Sequence, residues 1–329
     1  MDNTDIMISV ILITYNHEEY IKQALESIIN QKTQYRYEVI VGDDCSKDNT
    51  QSIISEYQNR YPDKIFPVLR TKNVGGKRNM YDIMFRCKGK YIAFLEGDDY
   101  WTDDLKLEKQ ISFLENNPEY IACAHRFHVV NRYGESYYDR DLLVQFVSGS
   151  SYTLKDFENG KMVSHLNSIV YQNIYRQKGK EFFKFWLEFD NMTGDAVINL
   201  ILVLMGNVYC MQEDMSAYRK VTDERSTSFS AMQEKENKRD ILFKSQMDLE
   251  KLIYEVFGQK VSFKIRKKNI FASAVFKLRR DKTQRNRQVV REIIKQSGQP
   301  VYYRLFYIYL IIAKNILQLI YKEDKRVPF

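Results

Sequence analysis

A chain of 329 residues with 44% hydrophobic and 28% charged residues is too apolar to stay disordered. It is long enough for one large domain plus an appendage, or for two modest domains. The four cysteines (Cys45, Cys87, Cys123, Cys210) are scattered with no C-x-x-C pair, which argues against a disulfide framework and suits a reducing cytoplasm. The polar start, Met1 to Asp5, runs straight into an apolar strand, a pattern unlike a secretory signal. The net charge of +7 is unevenly spread: residues 261–329 hold 17 Lys or Arg against 4 Asp or Glu, and the body before them carries 33 basic and 39 acidic groups. Such a split predicts a catalytic body with a basic tail that meets a polyanion, either nucleic acid or an anionic membrane face.

In chain order, Ser9 to Thr14 is a β-branched apolar run of the kind buried on both faces of a sheet. From Glu18 to Asn30, the residues Ile21, Ala24, Leu25 and Ile28 fall on one face of a helix. Tyr37 to Val41 is a second buried-type strand that empties into Asp43 and Asp44. Asp48-Asn49-Thr50 offers N-cap chemistry for a helix carrying Ile53, Ile54 and Tyr57. A brief strand spans Ile65 to Leu69, and Asn73 to Gly76 makes a loop. A helix follows from Asn79 to Cys87, with Gly89 as its C-terminal stop. Tyr91 to Leu95 is the next strand, and it runs into Glu96-Gly97-Asp98-Asp99.

This alternation predicts right-handed β-α-β units and an α/β fold with a mostly parallel central sheet flanked by helices. Ligands of such sheets sit beyond the carboxyl ends of the strands, where both acidic pairs lie. Further on, Leu105 to Asn116 is a helix closed by Pro118, and Tyr120 to Val130 is strand-like. Asp195 to Met205 reads as a buried helix ended by Gly206-Asn207. The uncharged run from Ala196 to Gln212 is broken there, so it is not read as a membrane span. Residues 232–295 look helical and increasingly basic.

Adjacent carboxylates in a tight turn repel each other unless a cation lies between them. Asp98 and Asp99, with Glu96 two residues upstream, therefore suit a hard divalent ion, Mg²⁺ or Mn²⁺, whose remaining ligands a diphosphate supplies. The plainer reading is an acidic turn capping the next helix. Asp43 and Asp44 end another strand of the same sheet, so two acidic clusters would face one crevice, one for the metal and one for a base or ribose.

At this point the sequence is recognisable. Residues 8–31 (ISVILITYNHEEYIKQALESIINQ), 37–50 (YEVIVGDDCSKDNT) and 89–110 (GKYIAFLEGDDYWTDDLKLEKQ) resemble the family 2 glycosyltransferases over roughly residues 6–225. The resemblance implies a GT-A fold, a nucleotide-diphospho-sugar donor and inversion at the anomeric carbon. By it, Thr14 and Tyr15 border the nucleobase, Asp43 hydrogen-bonds it, and Asp44 belongs to the same donor cluster. Glu96-Gly97-Asp98-Asp99 stands where the family has its D-x-D motif, with Glu96 in place of the first Asp and Asp98 and Asp99 left for ribose and metal. Asn73, Lys77 and Arg78 sit in the loop that borders the nucleotide.

The family places a carboxylate base ahead of a buried helix in the acceptor half, and Thr193-Gly194-Asp195 matches that place, making Asp195 the candidate base. Met215 to Arg219 resembles the segment leading to a loop over the diphosphate. Where many relatives have a His after the Arg, this chain has Val221, so Arg219 or Lys220 is left to supply positive charge. His165, with Asn167 and Ser168, resembles a segment near the acceptor pocket. The Gln-x-x-Arg-Trp signature of processive synthases is absent, which favours single-sugar transfer.

The expected organisation is a GT-A domain over 1–230, with a nucleotide half to about 118 and an acceptor half over 119–230, and a helical basic region over 231–329. In residues 302–321 (YYRLFYIYLIIAKNILQLIY) Arg304 and Lys314 interrupt the apolar run, which argues against a membrane span. Lys314, Gln318 and Lys322 recur at four-residue spacing, an amphipathic pattern suited either to an anionic membrane interface or to packing on the protein's own core. No nucleic-acid recognition motif is present. The partners expected are the donor and a glycan or lipid-linked glycan acceptor, with the protein cytoplasmic and peripheral on the inner membrane face, in surface polysaccharide or glycoconjugate synthesis. Two rivals remain: a sugar-nucleotide pyrophosphorylase, which needs a glycine-rich loop where Thr14-Tyr15-Asn16-His17 stands, and a non-catalytic membrane-associated binding protein.

Overall fold

The computed structural model describes residues 6–143, 146–147, 149–188, 194–221 and 237–311. Chain contacts divide the protein into two units, residues 1–157 with 161–223, and residues 158–160 with 224–329. The expected boundary at 230 lies outside the described residues.

The first unit begins with strand β1 (Ile8–Thr14), helix α1 (Ile21–Ile29), β2 (Tyr37–Asp43), α2 (Thr50–Arg60), β3 (Ile65–Leu69), α3 (Gly76–Met84) and β4 (Tyr91–Glu96). Strands β1, β2 and β4 are apolar runs buried along almost their whole length, whereas β3 exposes Phe66. On one face Ile8, Val10 and Leu12, with Val39 and Val41 of β2 and Ala93 and Leu95 of β4, meet Leu25 and Ile28 of α1 and Ile54 of α2. Helix α3 contacts β1 and β2 as well, through a stripe that includes the buried Tyr81, Ile83 and Met84. Strands β1 to β4 are mutually parallel in the order β3-β2-β1-β4. Pro67 is tolerated because β3 is an edge strand.

Beyond β4 come β5 (Tyr100–Trp101), α4 (Lys106–Asn116), β6 (Tyr120–Val130), β7 (Ser136–Tyr137), α5 (Arg140–Leu143), β8 (Ser151–Tyr152) and α6 (Leu154–Glu158). They are followed by β9 (Val170–Gln172), α7 (Ile174–Phe182), α8 (Phe185–Glu188), α9 (Gly194–Met205) and β10 (Asn207–Arg219). The short β9 runs antiparallel to β4 and β6, joining the parallel half to a second half in which β6 and β10 pair in parallel. Among the described residues the path β3-β2-β1-β4-β9-β6-β10-β5 is one sheet, with β7 and β8 attached at β6 and β10. Helix α4 stops where Asn117, ahead of Pro118, leaves the helical conformation (φ −134°, ψ 71°).

One sequence expectation needs correcting. Helix α3 ends at Met84, not Cys87, and Gly89 does not cap it. Gly89 instead passes so close to β1 that a Cβ there would lie 2.5 Å from Ser9 N and 2.7 Å from the Ile8 carbonyl carbon. Its N–H donates to Ser9 Oγ (2.8 Å), and Ser9 Oγ donates in turn to the buried Glu38 carboxylate (2.6 Å), which also accepts from Lys88 N (2.7 Å). The glycine is there for clearance at a buried polar junction.

The second unit contains α10 (Arg239–Phe257), α11 (Lys264–Arg280), α12 (Gln284–Gln296) and a last helical segment over 300–311. Phe243, Phe271, Val275, Val289, Ile293 and Tyr303 form its core. Tyr302, Phe306, Tyr307, Leu310 and Ile311 pack against that core, while Val301, Leu305, Ile308 and Tyr309 of the same segment stand exposed. Lys314, Gln318 and Lys322, on which the interfacial reading rested, lie outside the described residues. Among the described residues no helix is long and apolar enough to cross a membrane.

Because the obstacle at Gly89 is backbone, Gly89→Ala should destabilise the protein by about 1–3 kcal/mol in chemical denaturation. Gly76→Ala, where an added Cβ meets nothing within 4 Å, should leave stability unchanged or slightly raised.

Candidate active site

Parallel pairing brings the chemistry together. Thr14 is level with Asp43 of β2, and Ile13 is level with Glu96 of β4, so three strands deliver their carboxyl ends to one line. The order β3-β2-β1-β4 reverses its direction of growth at the β1–β4 boundary, and a crevice opens beyond such a reversal.

The loop after β1 is braced from the side. Asn16 N–H donates to Ser46 Oγ (2.8 Å), His17 N–H to Thr50 Oγ1 (2.9 Å) and Glu18 N–H to Asp48 (3.1 Å). Amides spent in this way do not form a phosphate-cradling nest, which removes the main structural support for a pyrophosphorylase. The Asp43 carboxylate, fully buried, accepts from Ser46 N–H (3.0 Å), Ser46 Oγ and Gln51 Nε2. Asp44 accepts from Val74 N–H (2.8 Å), and Asn73 donates to the Asp44 carbonyl (2.9 Å). The predicted donor loop is thus stitched to the predicted base cluster. Tyr15 stands 37% exposed beside them, while the Thr14 hydroxyl is buried with no hydrogen-bond partner.

The turn after β4 is tightly specified. A Cβ on Gly97 would meet Thr14 Oγ1 at 2.6 Å and His17 Nδ1 at 2.8 Å, so only glycine lets this turn close onto the end of β1. Asp98 stays partly exposed, 3.8 Å from His17 Nε2. Asp99 turns inward, accepting from Arg219 N–H (2.8 Å) and Asn167 Nδ2 (2.8 Å). Burial, and then the charge of Asp98, push the Asp99 carboxyl well above the usual carboxylate range, against the lowering effect of those two donors. The two adjacent aspartates therefore have distinct surroundings.

His165 is the residue that sequence reasoning undervalued. Its Nδ1 lies 3.5 Å from Asp99 and its Nε2 3.7 Å from Glu96, with the ring set against Tyr218 at 4.1 Å between centroids. Glu96, Asp99 and His165 form the one group among the described residues with ligand atoms within 4.8 Å of one another and a donor set suited to a divalent cation. The signal in the sequence was the run His165-x-Asn167-Ser168 ahead of β9, in which Asn167 and Ser168 are also fully buried.

Arg219 departs from expectation. Its guanidinium donates to the carbonyls of Asp98 (2.8 Å), Asn131 and Arg132 (both 3.0 Å) and to Gln23 Oε1 (2.8 Å), and lies over Tyr20. At 4% exposure it is a strut inside the protein and not a charge offered to a diphosphate. Lys220 is likewise paired with Asp139. Arg78 pairs along its own helix with Asp82 (3.2 Å), and Lys77 is half-buried in the first turn of α3. Asp195 is the second residue of α9, and its side chain lies outside the described set, as does that of Glu188 and the whole of Asp190.

Residues 9–224 match the model of glycosyl transferase family 2, and the chain belongs to that family. Uncharacterized protein Rv1520 of Mycobacterium tuberculosis is 46% identical over 122 residues, 37% of this chain and 35% of that protein. The Escherichia coli UDP-Glc:alpha-D-GlcNAc-diphosphoundecaprenol beta-1,3-glucosyltransferase WfaP is 29% identical over 163 residues, 49% of this chain and 57% of that one. The chain thus spans about a third to somewhat over half the length of these relatives. Among solved structures, S. aureus TarS 1-349 in complex with UDP-GlcNAc superposes with a TM-score of 0.58 at 15% identity, covering 90% of this chain and 81% of that one. The mannosyltransferase PcManGT from Pyrobaculum calidifontis, in complex with GDP-Man and Mn²⁺, gives 0.52 at 16%, covering 95% and 87%. The fold is that of the GT-A glycosyltransferases.

Beneath the acidic turn lies a buried amine. Lys106 Nζ sits 4.2 Å from the Trp101 ring centre and donates to Gln110 (2.8 Å), while the Trp101 indole N–H donates to the Asn167 carbonyl (2.9 Å). Burial pulls Lys106 down to about 7 from 10.5, and burial, then the charge of this amine, push the His125 imidazole well below its usual range. A base depressed in the folded state binds fewer protons there than in the unfolded chain. The cost, on the order of several kcal/mol, is full below about pH 7 and fades as pH rises towards 10.5. Between pH 7 and 9 the native protein should therefore gain up to about 2 kcal/mol of stability that Lys106→Met does not gain, measured by denaturant unfolding of both at each pH.

Proposed function

We propose that the protein is an inverting glycosyltransferase that moves a single sugar from a nucleotide-diphospho-sugar to an acceptor hydroxyl. The observation that carries this reading is the convergence of Thr14, Asp43-Asp44 and Glu96-Gly97-Asp98-Asp99 at the carboxyl ends of β1, β2 and β4 in a family 2 chain. The nucleotide-sugars bound to TarS and PcManGT support a donor of this class, and UDP is the first nucleotide to test. The diphosphoundecaprenol-linked acceptor of WfaP supports a glycan or lipid-linked glycan acceptor in surface polysaccharide synthesis. The uneven charge supports a place on the inner face of the cytoplasmic membrane.

Carboxylates and imidazole fit Mn²⁺ better than Mg²⁺, which prefers oxygen and water alone. Asp98 and Asp99, with Glu96 and His165, would hold such an ion, and its chemistry is to neutralise charge on the departing diphosphate. Tyr15, Asp43 and the loop at Asn73 border the base and ribose. The closed turn at Gly97 keeps the acidic group against the end of β1. Asp195 takes the acceptor proton as the new bond forms on the face opposite the diphosphate.

Calorimetry with UDP should show affinity that needs Mn²⁺ and falls at least about tenfold in Asp98→Asn and in Asp99→Asn. Metal-independent binding unchanged in both variants would remove the donor site from this turn. Asp195→Asn should bind the donor normally and transfer sugar at least about a hundredfold more slowly. Near-normal turnover would pass the role to Glu188 or Asp190, and a product of retained configuration would reject the displacement mechanism.

A further inference from the structure

The C-terminal helical unit holds an open cavity of about 660 Å³ that the donor chemistry does not use. Its wall on α12 is Arg287, Val290, Arg291 and Ile294, one stripe at i, i+3, i+4 and i+7. Asn286, Val289, Val290 and Ile293 of the same helix are buried, Val290 in the core itself, and Ile294 packs against that core while still partly exposed. The cavity therefore opens at the rim of the core, where the cationic edge of the helix, Arg287 and Arg291, meets partly exposed apolar side chains. The end of α11 and the turn after it add Arg279 and Lys282, and Leu278, Tyr307 and Ile311 supply more apolar wall.

Four cations line this space and no carboxylate does. Lys282, Arg287 and Arg291 are exposed, and none of the three makes an ion pair or side-chain hydrogen bond among the described residues. The acids nearby in sequence do not offset them: Asp281 accepts from Asn286 (3.3 Å), and neither it nor Glu292 lines the cavity. The contrast on the same helix is Arg285, which is paired through both terminal nitrogens with Asp240 (2.9 and 3.1 Å). Like charges gathered without counter-charge are costly, and an anion relieves that cost. Two guanidinium groups one turn apart suit phosphate oxygens, which they bind in bidentate fashion.

The apolar share of the wall selects among phosphates. A free phosphate ion gains nothing from the partly exposed Leu278, Ile294, Tyr307 and Ile311, whereas a phosphate esterified to an apolar chain can cover them. The volume falls in the range of small-molecule sites. We propose that this cavity binds the phosphate headgroup of an anionic membrane lipid, with the aliphatic wall receiving the first methylenes of its chain. The proposal sharpens the membrane location suggested above into a site, and it stands or falls separately from the donor site.

The test uses the full chain and vesicles of phosphatidylcholine with or without phosphatidylglycerol, read by co-sedimentation. Binding should require phosphatidylglycerol and weaken at least about tenfold in Arg287→Gln/Arg291→Gln. Lys260→Gln/Lys264→Gln removes the same charge from exposed positions outside the cavity and should cost less than about threefold. UDP affinity, measured on all three proteins, should not change and serves as the check on folding. If Arg287→Gln/Arg291→Gln fails that check, Lys282→Gln replaces it and should still weaken binding. A soluble short-chain phosphatidylglycerol should bind more tightly than glycerol phosphate. Equal losses in the two double variants would mean diffuse attraction and overturn the site. Equal affinity for glycerol phosphate and the short-chain lipid, or thermal stabilisation by inorganic phosphate without vesicle binding, would make it a soluble-anion site and overturn the lipid reading.

Discussion

A carboxylate held out of water has to be matched by donors that do not move, and Asp99 imposes that demand on the whole catalytic unit. Its partners come from distant points of the chain: the peptide N–H of Arg219 at the end of β10 and the amide of Asn167 ahead of β9. Asn167 is itself fixed by Ser216 Oγ (2.9 Å) and by the Trp101 indole through its own carbonyl. The two halves of the sheet are therefore joined at the acidic turn as well as through the β4–β9–β6 ladder. Pairing of this kind sets the position of Asp98 and Glu96, whose carboxylates remain partly exposed beside His17 and His165.

Arg219 illustrates the same economy. Its guanidinium ties the 131–132 turn, the backbone of Asp98 and the side chain of Gln23 on α1, three pieces that border the crevice. A buried arginine with its donors satisfied by carbonyls fixes geometry and contributes no open charge to a ligand. On the proposed reading, a cation held by Glu96, Asp99 and His165 would supply positive charge that Arg219 spends on backbone carbonyls.

The parallel half of the fold was legible because local and global signals agree there. Buried runs such as 8–14 and 91–96 can be little else than central strands, and their acidic ends follow from register. The strand over 120–130 and the helix before Pro118 were equally plain. What lies between residue 131 and the start of α9 was not, since β7, β8 and β9 are two or three residues long and carry no periodicity. Gly89 was misread because a glycine needed for clearance looks the same in sequence as one needed for a helix cap. At the site, the acidic pairs could be found from spacing, but the inward turn of Asp99 and the burial of Arg219 depend on partners over a hundred residues away. His165 was visible only as a lone imidazole, and its two carboxylate neighbours are a product of the folded sheet.

The stacking of Lys106 on Trp101 gives the ground under the acidic turn an optical signature. An indole feels the field of a charge only 4.2 Å from its ring, and this charge comes and goes near neutral pH because burial has brought the amine down to about 7. The emission of Trp101, isolated by replacing Trp186, therefore follows the protonation of one buried group. Through the indole N–H bond to Asn167, the same ring is one residue away from Asp99. Ligands that alter the electrostatics of the acidic turn become visible as colour shifts from a tryptophan that none of them touches.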